Sequence, residues 1–232
     1  MKPHISVIIP ALDEEEPIGA VITACLATGL PDEVIVVDNG STDATFERAQ
    51  EAGARVVSAP RGYGRACAAG IVAAKPESNV LVFLDGDGSD CPEMMERIVK
   101  PILDDEADFV IGSRVRGERE PGSMNFQQIF AGRLAGLLMR ALYGVRYTDM
   151  CPFRAIRRPL LPELGMREET YGWNLEMQMR AAQAGLRILE VPVNHRCRTG
   201  GESKISGTMR GTLVAGLRIL ATFIRVARDR RA

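Results

Sequence analysis

The segment VLVFLDGDGSD, residues 80–90, joins an apolar run to a short acidic turn. Residues 80–84 are all apolar, and Asp85 and Asp87 follow with one glycine between them. An unbroken apolar run of this length is typical of a strand that is buried on both faces of a parallel sheet. Ligands of open α/β sheets bind beyond the carboxyl ends of the strands, so the acidic turn is the first candidate site.

Similar runs alternate with amphipathic segments in the first half of the chain, which predicts repeated strand–helix–strand units. Such units have right-handed crossovers and build a Rossmann-like α/β sheet. The second half is less regular, with helices predicted near 127–143 and 172–184 and strands near 153–157 and 187–193. The runs of the first half are ISVIIP (5–10), EVIVVD (33–38), ARVVSA (54–59) and DFVIGS (108–113).

The composition is that of an ordinary globular domain, with 232 residues, 46% hydrophobic and 25% charged. A net charge of −1 gives no general attraction to nucleic acid, so we expect no nucleic-acid partner. Five scattered cysteines without a CxxC pair indicate reduced thiols rather than a disulfide framework or a zinc site. The N-terminus lacks the pattern of a signal peptide, and no apolar run approaches the roughly 20 residues that span a bilayer. We therefore expect a cytoplasmic protein that is soluble or peripheral at the inner face of the membrane.

Asp85 and Asp87 are candidate ligands of one divalent cation. Two carboxylates at the end of a buried strand can point at the same ion when the chain bends, and Gly86 permits that bend. Mg²⁺ commonly takes one or two protein carboxylates together with phosphate oxygens. Aspartate and glycine are also plain turn formers, so the spacing alone leaves a simple turn open as the alternative.

A second polar turn follows the run that ends at Asp38. Ser41 or Thr42 is predicted to cap a helix that begins near Ala44. That role leaves Asp38 and Asn39 at the strand end unexplained. A carboxylate there could accept a hydrogen bond from the imide of a nucleobase.

The order of these segments resembles that of family 2 glycosyltransferases with the GT-A fold, and is most similar to the dolichyl- and polyprenyl-phosphate sugar synthases. The resemblance covers roughly residues 4–206. It implies an α/β, GT-A-like sandwich with a mainly parallel central sheet over residues 1–204. The spacing of apolar residues and arginines predicts a C-terminal amphipathic helix over 205–232. The matching blocks are VIIPALDEEEPI, VIVVDNGSTDAT, RGYGRACAAG, VLVFLDGDGSD, VIGSR, TDMCPFRAIRR and RTGGESK.

The resemblance implies a role for each matching position. Asp38 would bind the donor's base in a pocket lined by Pro10, Ala11 and Glu14. Asp85 and Asp87, on either side of Gly86, would hold Mg²⁺ or Mn²⁺ that bridges the donor diphosphate. Arg198, Ser203 and Lys204 match a segment that closes over the diphosphate, although a solvated basic loop is the alternative. Arg65 stands where the family often has lysine, and Ser89 stands where some relatives have a third metal ligand, so the coordination stays open.

The catalytic base is not evident. Aligned on Arg180, the family's carboxylate position is occupied by Asn174, which cannot act as a base. A phosphate monoester acceptor, with a second pKa of about 6, is already ionised near neutral pH and needs none. Asp149 and Glu176 remain candidates for the base, and the alternative for Asp149 is an ordinary ion pair with Arg146 or Arg154.

Two predicted amphipathic helices indicate that the acceptor of the sugar lies in a membrane. The predicted apolar face of 129–141 contains Phe130, Leu134 and Leu137, with Arg133 and Arg140 on another face. An apolar face beside arginines is typical of a helix on an anionic lipid surface, and a core-facing stripe or a homo-oligomer interface is the alternative. In the C-terminal helix the apolar stripe is Met209, Leu213, Leu217, Leu220 and Ile224, beside Arg210, Arg218, Arg225 and Arg228.

The hypothesis is an inverting transfer of a hexose from a UDP- or GDP-sugar, catalysed with Mg²⁺ or Mn²⁺, to an acceptor such as polyprenyl phosphate. One alternative keeps the donor site and moves the sugar to a soluble hydroxyl acceptor. A nucleotidyltransferase would want a Gly- and Arg-rich loop after the first strand, where ALDEEEPIG supplies acids instead. A non-catalytic nucleotide-sugar binder is the remaining alternative.

Overall fold

A seven-stranded mixed sheet forms the centre of the protein in the computed structural model, which describes residues 3–199 and 220–229. Its strands are β1 (His4–Ala11), β2 (Glu33–Asp38), β3 (Arg55–Ser58), β4 (Ser78–Phe83), β5 (Phe109–Ser113), β6 (Arg154–Arg157) and β7 (Ile188–Pro192). They lie in the order β3-β2-β1-β4-β6-β5-β7, in which β6 is antiparallel to β4 and β5 and the other neighbours are parallel. The predicted α/β fold with a mainly parallel sheet is confirmed.

Helices connect these strands as the apolar periodicity predicts. They are α1 (Ile18–Ala27), α2 (Thr45–Glu51), α3 (Tyr63–Ala73), α4 (Met95–Leu103), α5 (Phe126–Tyr143), α6 (Leu161–Leu164), α7 (Trp173–Gln183) and α8 (220–228). Over the described ranges, no helix combines the length and the apolar character needed to cross a membrane.

The sheet is buried because its central strands carry apolar side chains on both faces. All residues of β2, and all of β1 except His4, are buried. Helix α3 packs closely on β1, where a Cβ on Gly70 would collide with the side chain of Ile8. The parallel register pairs Ala11 of β1 with Asp38 of β2 and Ile8 with Phe83 of β4. The carboxyl ends of β1, β2 and β4 therefore meet at one edge of the sheet.

Helix α5 turns its small residues inward and its large apolar residues outward. Its buried positions are Gly132, Ala135, Gly136 and Met139, and a Cβ on Gly136 would collide with the carbonyl of Tyr147. The predicted apolar face, with Phe130, Leu134 and Leu137, is exposed. This stripe therefore does not cover the core, because the close backbone approach at the glycines decides which side faces inward.

Helix α8 packs against the rest of the protein through polar as well as apolar residues. Thr222 and Val226 are buried, whereas Leu220 and Ile224 of the predicted stripe are 53% and 42% exposed. Arg225 forms ion pairs with Glu168 and Glu176, so it does not belong to a free basic flank. The boundary at 204/205 and the other residues of the stripe before Leu220 lie outside the described residues.

Candidate active site

A cleft of about 680 Å³ opens at the carboxyl edge of the parallel strands. The loops after β1, β2 and β4 form one side, and residues from α3 and the start of α7 form the other. It brings together most of the residues that were predicted to bind the donor. Those that line it are Pro10, Ala11, Glu14, Asp85, Gly86, Asp87 and Arg198.

The acidic turn after β4 has a fixed geometry. The backbone amide of Asp85 donates to Oδ2 of Asp90 at 3.0 Å, and the hydroxyl of Ser89 donates to Oδ1 of Asp87 at 2.6 Å. Oδ1 of Asp85 accepts a hydrogen bond from the hydroxyl of Tyr63 at 2.9 Å. Each aspartate of the pair therefore has one oxygen engaged in holding the turn. Ser89, considered as a third ligand, supports Asp87 instead.

Several carboxyl groups are crowded at this edge, which affects their ionisation. Burial, and then the charge of Asp87, raises the pKa of Asp85 to about 6. Burial, and then the charge of Asp85, raises the pKa of Asp90 to about 8. Repulsion between buried carboxylates is relieved when a cation binds between them. The turn is therefore an electrostatic site for a positive charge.

Arg198 places a positive charge at this turn. Its guanidinium donates to Oε1 of Glu14 at 3.0 Å and to Oδ2 of Asp87 at 2.9 Å. The backbone fixes its position, because the amide of Thr199 donates to the carbonyl of Asp87 and that of Arg196 to Ser89. Arg198 is thus a cation held between two nearly buried carboxylates.

A divalent metal fits the same turn. Asp85 and Asp87 present carboxylate oxygens to a cleft that already accepts the Arg198 cation. Within residues 3–199 and 220–229, no group of three or more His, Cys, Asp or Glu side chains could hold a metal. Such a site suits an ion like Mg²⁺, which completes its coordination with phosphate oxygens and water.

Asp38 lies at the end of β2 beside Ala11, next to the cleft but outside its lining. Its Oδ1 accepts a hydrogen bond from the amide of Ser41 at 3.1 Å. Asn39 lines the cleft instead, and its side chain accepts from the amide of Gly62 and donates to the carbonyl of Pro60.

The predicted capping role of Ser41 and Thr42 is wrong, because the amides of Ala44 and Thr45 at the start of α2 donate to the side chains of Glu15 and Asp43. Ser41 and Thr42 both bond to Asp13 in the loop after β1. The hydroxyl of Ser41 accepts from the amide of Asp13, and the amide of Thr42 donates to Oδ1 of Asp13. These bonds join the two loops that form one wall of the cleft.

The other basic residues predicted at the donor site are placed differently. Arg65 projects from α3 and pairs with Glu169, and both side chains are largely exposed. It does not line the cleft. Ser203 and Lys204 lie outside the described residues.

Asp149 is held by Arg114, a residue to which the sequence assigned no role. The guanidinium donates to both carboxylate oxygens at 2.8 Å, and the amides of Arg114 and Met150 donate as well. Burial works to raise the pKa of Asp149, but the charge and hydrogen bonds of Arg114 hold that pKa below its usual value. The alternative of an ordinary ion pair is thus the one found, with Arg114 as the partner instead of Arg146 or Arg154. A carboxylate so fully bonded is a weak proton acceptor.

Glu176 is fully buried in α7 and does not line the cleft. Oε2 accepts from the amides of Arg167 and Glu168, and Oε1 pairs with Arg225 at 3.0 Å. In the described part of the chain these contacts connect Glu176 to α8 and to the loop before α7. Glu176 therefore holds α7, α8 and the loop before α7 together and does not face the cleft.

The fold and the cleft define an α/β nucleotide-binding protein of the GT-A type, and comparison with known proteins gives the family. Residues 6–165 match the description Glycosyl transferase family 2. An uncharacterised glycosyltransferase of Mycobacterium tuberculosis is 37% identical over 219 residues, which cover 91% of this chain and 94% of that protein. A dolichyl-phosphate hexose transferase of Haloferax volcanii is 34% identical over 214 residues, 90% of this chain and 90% of that protein. The chain belongs to glycosyl transferase family 2.

A solved structure agrees with this assignment. Glucosyl-3-phosphoglycerate synthase from Mycobacterium tuberculosis, in complex with Mn²⁺, uridine-diphosphate-glucose and phosphoglyceric acid, has a TM-score of 0.78 at 25% identity. The match covers 97% of this chain and 80% of that one. The predicted family, the GT-A-like fold and the transferase class are confirmed, and the expectation of a divalent metal agrees with the Mn²⁺ of that complex.

Proposed function

We propose that the protein transfers a hexose from a UDP- or GDP-sugar to a polyprenyl phosphate, with Mg²⁺ or Mn²⁺ held by Asp85 and Asp87. The observation that carries this proposal is the cleft at the carboxyl edge of the sheet, where the acidic turn faces Arg198. Its size suits a nucleotide sugar, since small-molecule sites usually enclose roughly 300–1,000 Å³.

The chain's own residues account for donor binding. Asp38 and Asn39 stand at the end of β2, where a base can enter between the loops after β1 and β2. Arg198 stands over the acidic turn and can neutralise charge on the departing diphosphate. A bound divalent ion supplies further neutralisation of that charge.

The residues around the cleft favour an acceptor that is already ionised. The described carboxylates that line it are Asp13, Glu14, Asp85 and Asp87, all on the donor side. Asn174 lines the opposite side, and Asp149 and Glu176 are engaged elsewhere. A phosphate oxygen attacks without a general base, whereas a hydroxyl needs one. The Haloferax relative, by its name, acts on dolichyl phosphate.

The surface of α5 supports a lipid acceptor at a membrane. Phe126, Phe130, Leu134 and Leu137 project from one helix, and residues 121–148 contain no acidic side chain. Arg133, Arg140 and Arg146 in the same segment are exposed. Exposed apolar residues beside arginines suit the interface of an anionic bilayer. The opposite side of α5 packs at Gly132 against the backbone of Thr148 and Asp149.

A matched substitution tests this surface. Replacing both Phe130 and Leu137 with Ser should reduce sedimentation with phosphatidylglycerol vesicles at least tenfold, because the helix loses much of its exposed apolar area. Val72→Ser, at an exposed apolar position on α3, is the control and should sediment like the unaltered protein. If the unaltered protein is dimeric and the double variant monomeric in size-exclusion chromatography, α5 is a homo-oligomer interface and the membrane assignment is rejected.

A specific observation favours a second acceptor. The solved neighbour holds phosphoglyceric acid, a soluble phosphorylated acid, together with its nucleotide sugar. On this alternative the protein would glycosylate a soluble phosphorylated molecule, and the α5 surface would have another partner.

A donor and acceptor screen distinguishes these functions. The protein is incubated with UDP- and GDP-sugars and Mn²⁺, with a short polyprenyl phosphate, with 3-phosphoglycerate, or with neither, and the release of nucleoside diphosphate is measured. We expect release to rise with polyprenyl phosphate. A rise with 3-phosphoglycerate alone would favour the second acceptor. Binding of nucleotide sugar without release in any mixture would indicate a non-catalytic binder.

A further inference from the structure

Tyr63 is a half-buried polar residue of the cleft to which neither the sequence nor the proposed function assigns a role. It is the first residue of α3, and its hydroxyl donates to Oδ1 of Asp85 at 2.9 Å. Tyr63 therefore contacts the carboxylate of Asp85 directly.

The hydroxyl acts on one particular oxygen of Asp85. The backbone of this residue is already held by Asp90, which leaves rotation of the carboxylate as its main freedom. Tyr63 restrains that rotation through Oδ1. Among the described residues only Oδ1 of this carboxylate accepts a hydrogen bond, and Asp85 lines the cleft.

The ring of Tyr63 is itself fixed by close packing. It meets the ring of Trp173 edge-on, with centroids 6.3 Å apart. The glycines on both sides allow the loop before α7 to pass closely, since a Cβ on Gly62 or Gly64 would collide with the carbonyls of Glu169 or Glu168. The amide of Arg65 also donates to the carbonyl of Glu169. The sequence Gly62-Tyr63-Gly64 thus places one phenol rigidly against the acidic turn.

We propose that Tyr63 is a positioning residue for the metal site, which holds Asp85 so that its second oxygen faces the cation in the cleft. The inference rests on the proposed metal-dependent transfer. Hydrogen bonds that orient a metal ligand typically contribute 10–100-fold to metal affinity. The side chain of Asn174 lies close to the phenol of Tyr63. Asn174 also lines the cleft, on the side opposite the acidic turn.

The test is Tyr63→Phe, which removes one oxygen and retains the ring that packs on Trp173. Mn²⁺ is titrated into the protein with saturating UDP, and free Mn²⁺ is followed by electron paramagnetic resonance. We expect Mn²⁺ to bind about tenfold more weakly. Binding of UDP without metal should change less than twofold. Turnover at saturating Mn²⁺ should return to within about threefold of the unaltered protein, because the lost contact acts through metal occupancy.

Tyr147→Phe is the matched control. Tyr147 is a buried tyrosine whose hydroxyl donates to the carbonyl of Gln178 rather than to a residue of the cleft. This variant should keep the Mn²⁺ affinity of the unaltered protein even if its melting temperature falls. Unchanged affinity in Tyr63→Phe, or equal weakening in Tyr147→Phe, would overturn the positioning role. If the unaltered protein binds no Mn²⁺ in the presence of UDP, the proposed function fails as well, and the two failures are thereby separated.

Discussion

At the scale of single residues, Arg198 and Asp87 are 111 positions apart in sequence and form an ion pair in the cleft. The guanidinium occupies the oxygen of Asp87 that a divalent cation would also use. At the proposed metal site, Arg198 and the metal would therefore compete for Asp87 when the donor is absent. A diphosphate can bind both cations, which would release Asp87 to the metal and give Arg198 a new partner.

This competition predicts that removing the charge of Arg198 changes the affinity for free Mn²⁺ and the affinity for Mn²⁺ with UDP in opposite directions. Arg198→Gln should bind free Mn²⁺ several-fold to about tenfold more tightly, because a charged hydrogen bond that competes with the metal is removed. The same variant should bind Mn²⁺ and UDP together less tightly, because it lacks a charge on the diphosphate. Calorimetry with and without UDP measures both.

Arg196→Gln is the control for this prediction. Arg196 is close in sequence but pairs with Glu93 on the surface. It should leave both affinities unchanged. Weaker binding of free Mn²⁺ by Arg198→Gln would show that Arg198 does not compete with the metal.

Residues that follow strand ends could be predicted from the sequence, since the position of Asp85 and Asp87 is a consequence of the strand pattern. Partners that come from distant loops could not. The spacing of the Asp85 turn says nothing of Tyr63, and the predicted partners of Asp149 omitted Arg114. A protein family's motif indicates which residues lie near a ligand, whereas hydrogen-bond partners depend on the packing of the loops between them.

At the scale of elements, α7 and α8 are joined by an ion pair in which the carboxylate is buried and the arginine is partly exposed. Glu176 is fully buried, and Arg225 of α8 reaches it from a partly exposed position. Glu168 accepts from Arg225 and from the hydroxyl of Thr222, so α8 is bonded to the loop before α7 as well. A glutamine at position 176 would have one acceptor oxygen instead of two, so either the two backbone amides or Arg225 would lose its acceptor.

Glu176→Gln should therefore lower the free energy of unfolding by roughly 1–3 kcal/mol, since buried hydrogen bonds of Glu176 are lost. Urea unfolding measures the change. The Michaelis constant for the donor should stay within twofold, because Glu176 lies outside the cleft lining. A large fall in turnover with unchanged stability would instead make Glu176 the catalytic base, as the sequence allowed.

Strands and most helices were predictable because their apolar periodicity is strong, but the orientation of α5 was not. The sequence places both glycines and large apolar residues on that helix, and either set could face inward. The approach of the backbone at Tyr147 selects the glycine side, a fact of packing that no periodicity reports. The large apolar residues of α5 are therefore exposed, and they form the surface that we propose contacts the membrane.

At the scale of the whole molecule, the segments that follow three strands bring a group of titratable residues together near the cleft. Asp85, Asp87 and Asp90 come from the turn after β4, Arg114 follows β5, and His195 follows β7. Burial, and then the charge of Arg114, lowers the pKa of His195 to about 4. Burial, and then the charge of Asp85, raises that of Asp90 to about 8. These shifts connect the stability of the metal-free protein to pH.

The pKa shifts of His195 and Asp90 affect stability in different pH ranges. The unfolded chain binds a proton at His195 below about pH 6.5, so unfolding there takes up a proton and stability rises with pH up to that value. Asp90 holds its proton in the folded protein up to about pH 8 but loses it near pH 4 when unfolded. Unfolding therefore releases a proton from Asp90, and stability falls as pH rises towards 8. Between about pH 6.5 and 8, of these two residues, only Asp90 makes the free energy of unfolding depend on pH.

We therefore expect the free energy of unfolding, measured by urea in EDTA, to fall by about 1 kcal/mol per pH unit between pH 6.5 and 8. Asp90→Asn keeps an oxygen that can accept from the amide of Asp85 and cannot ionise, so its stability should be nearly constant over this window. Mn²⁺ with UDP should reduce the slope in the unaltered protein, because a bound cation favours the ionised carboxylates. Equal slopes in the two metal-free proteins would mean that Asp90 is ionised in the folded state, and that the turn carries its full negative charge before any cation arrives.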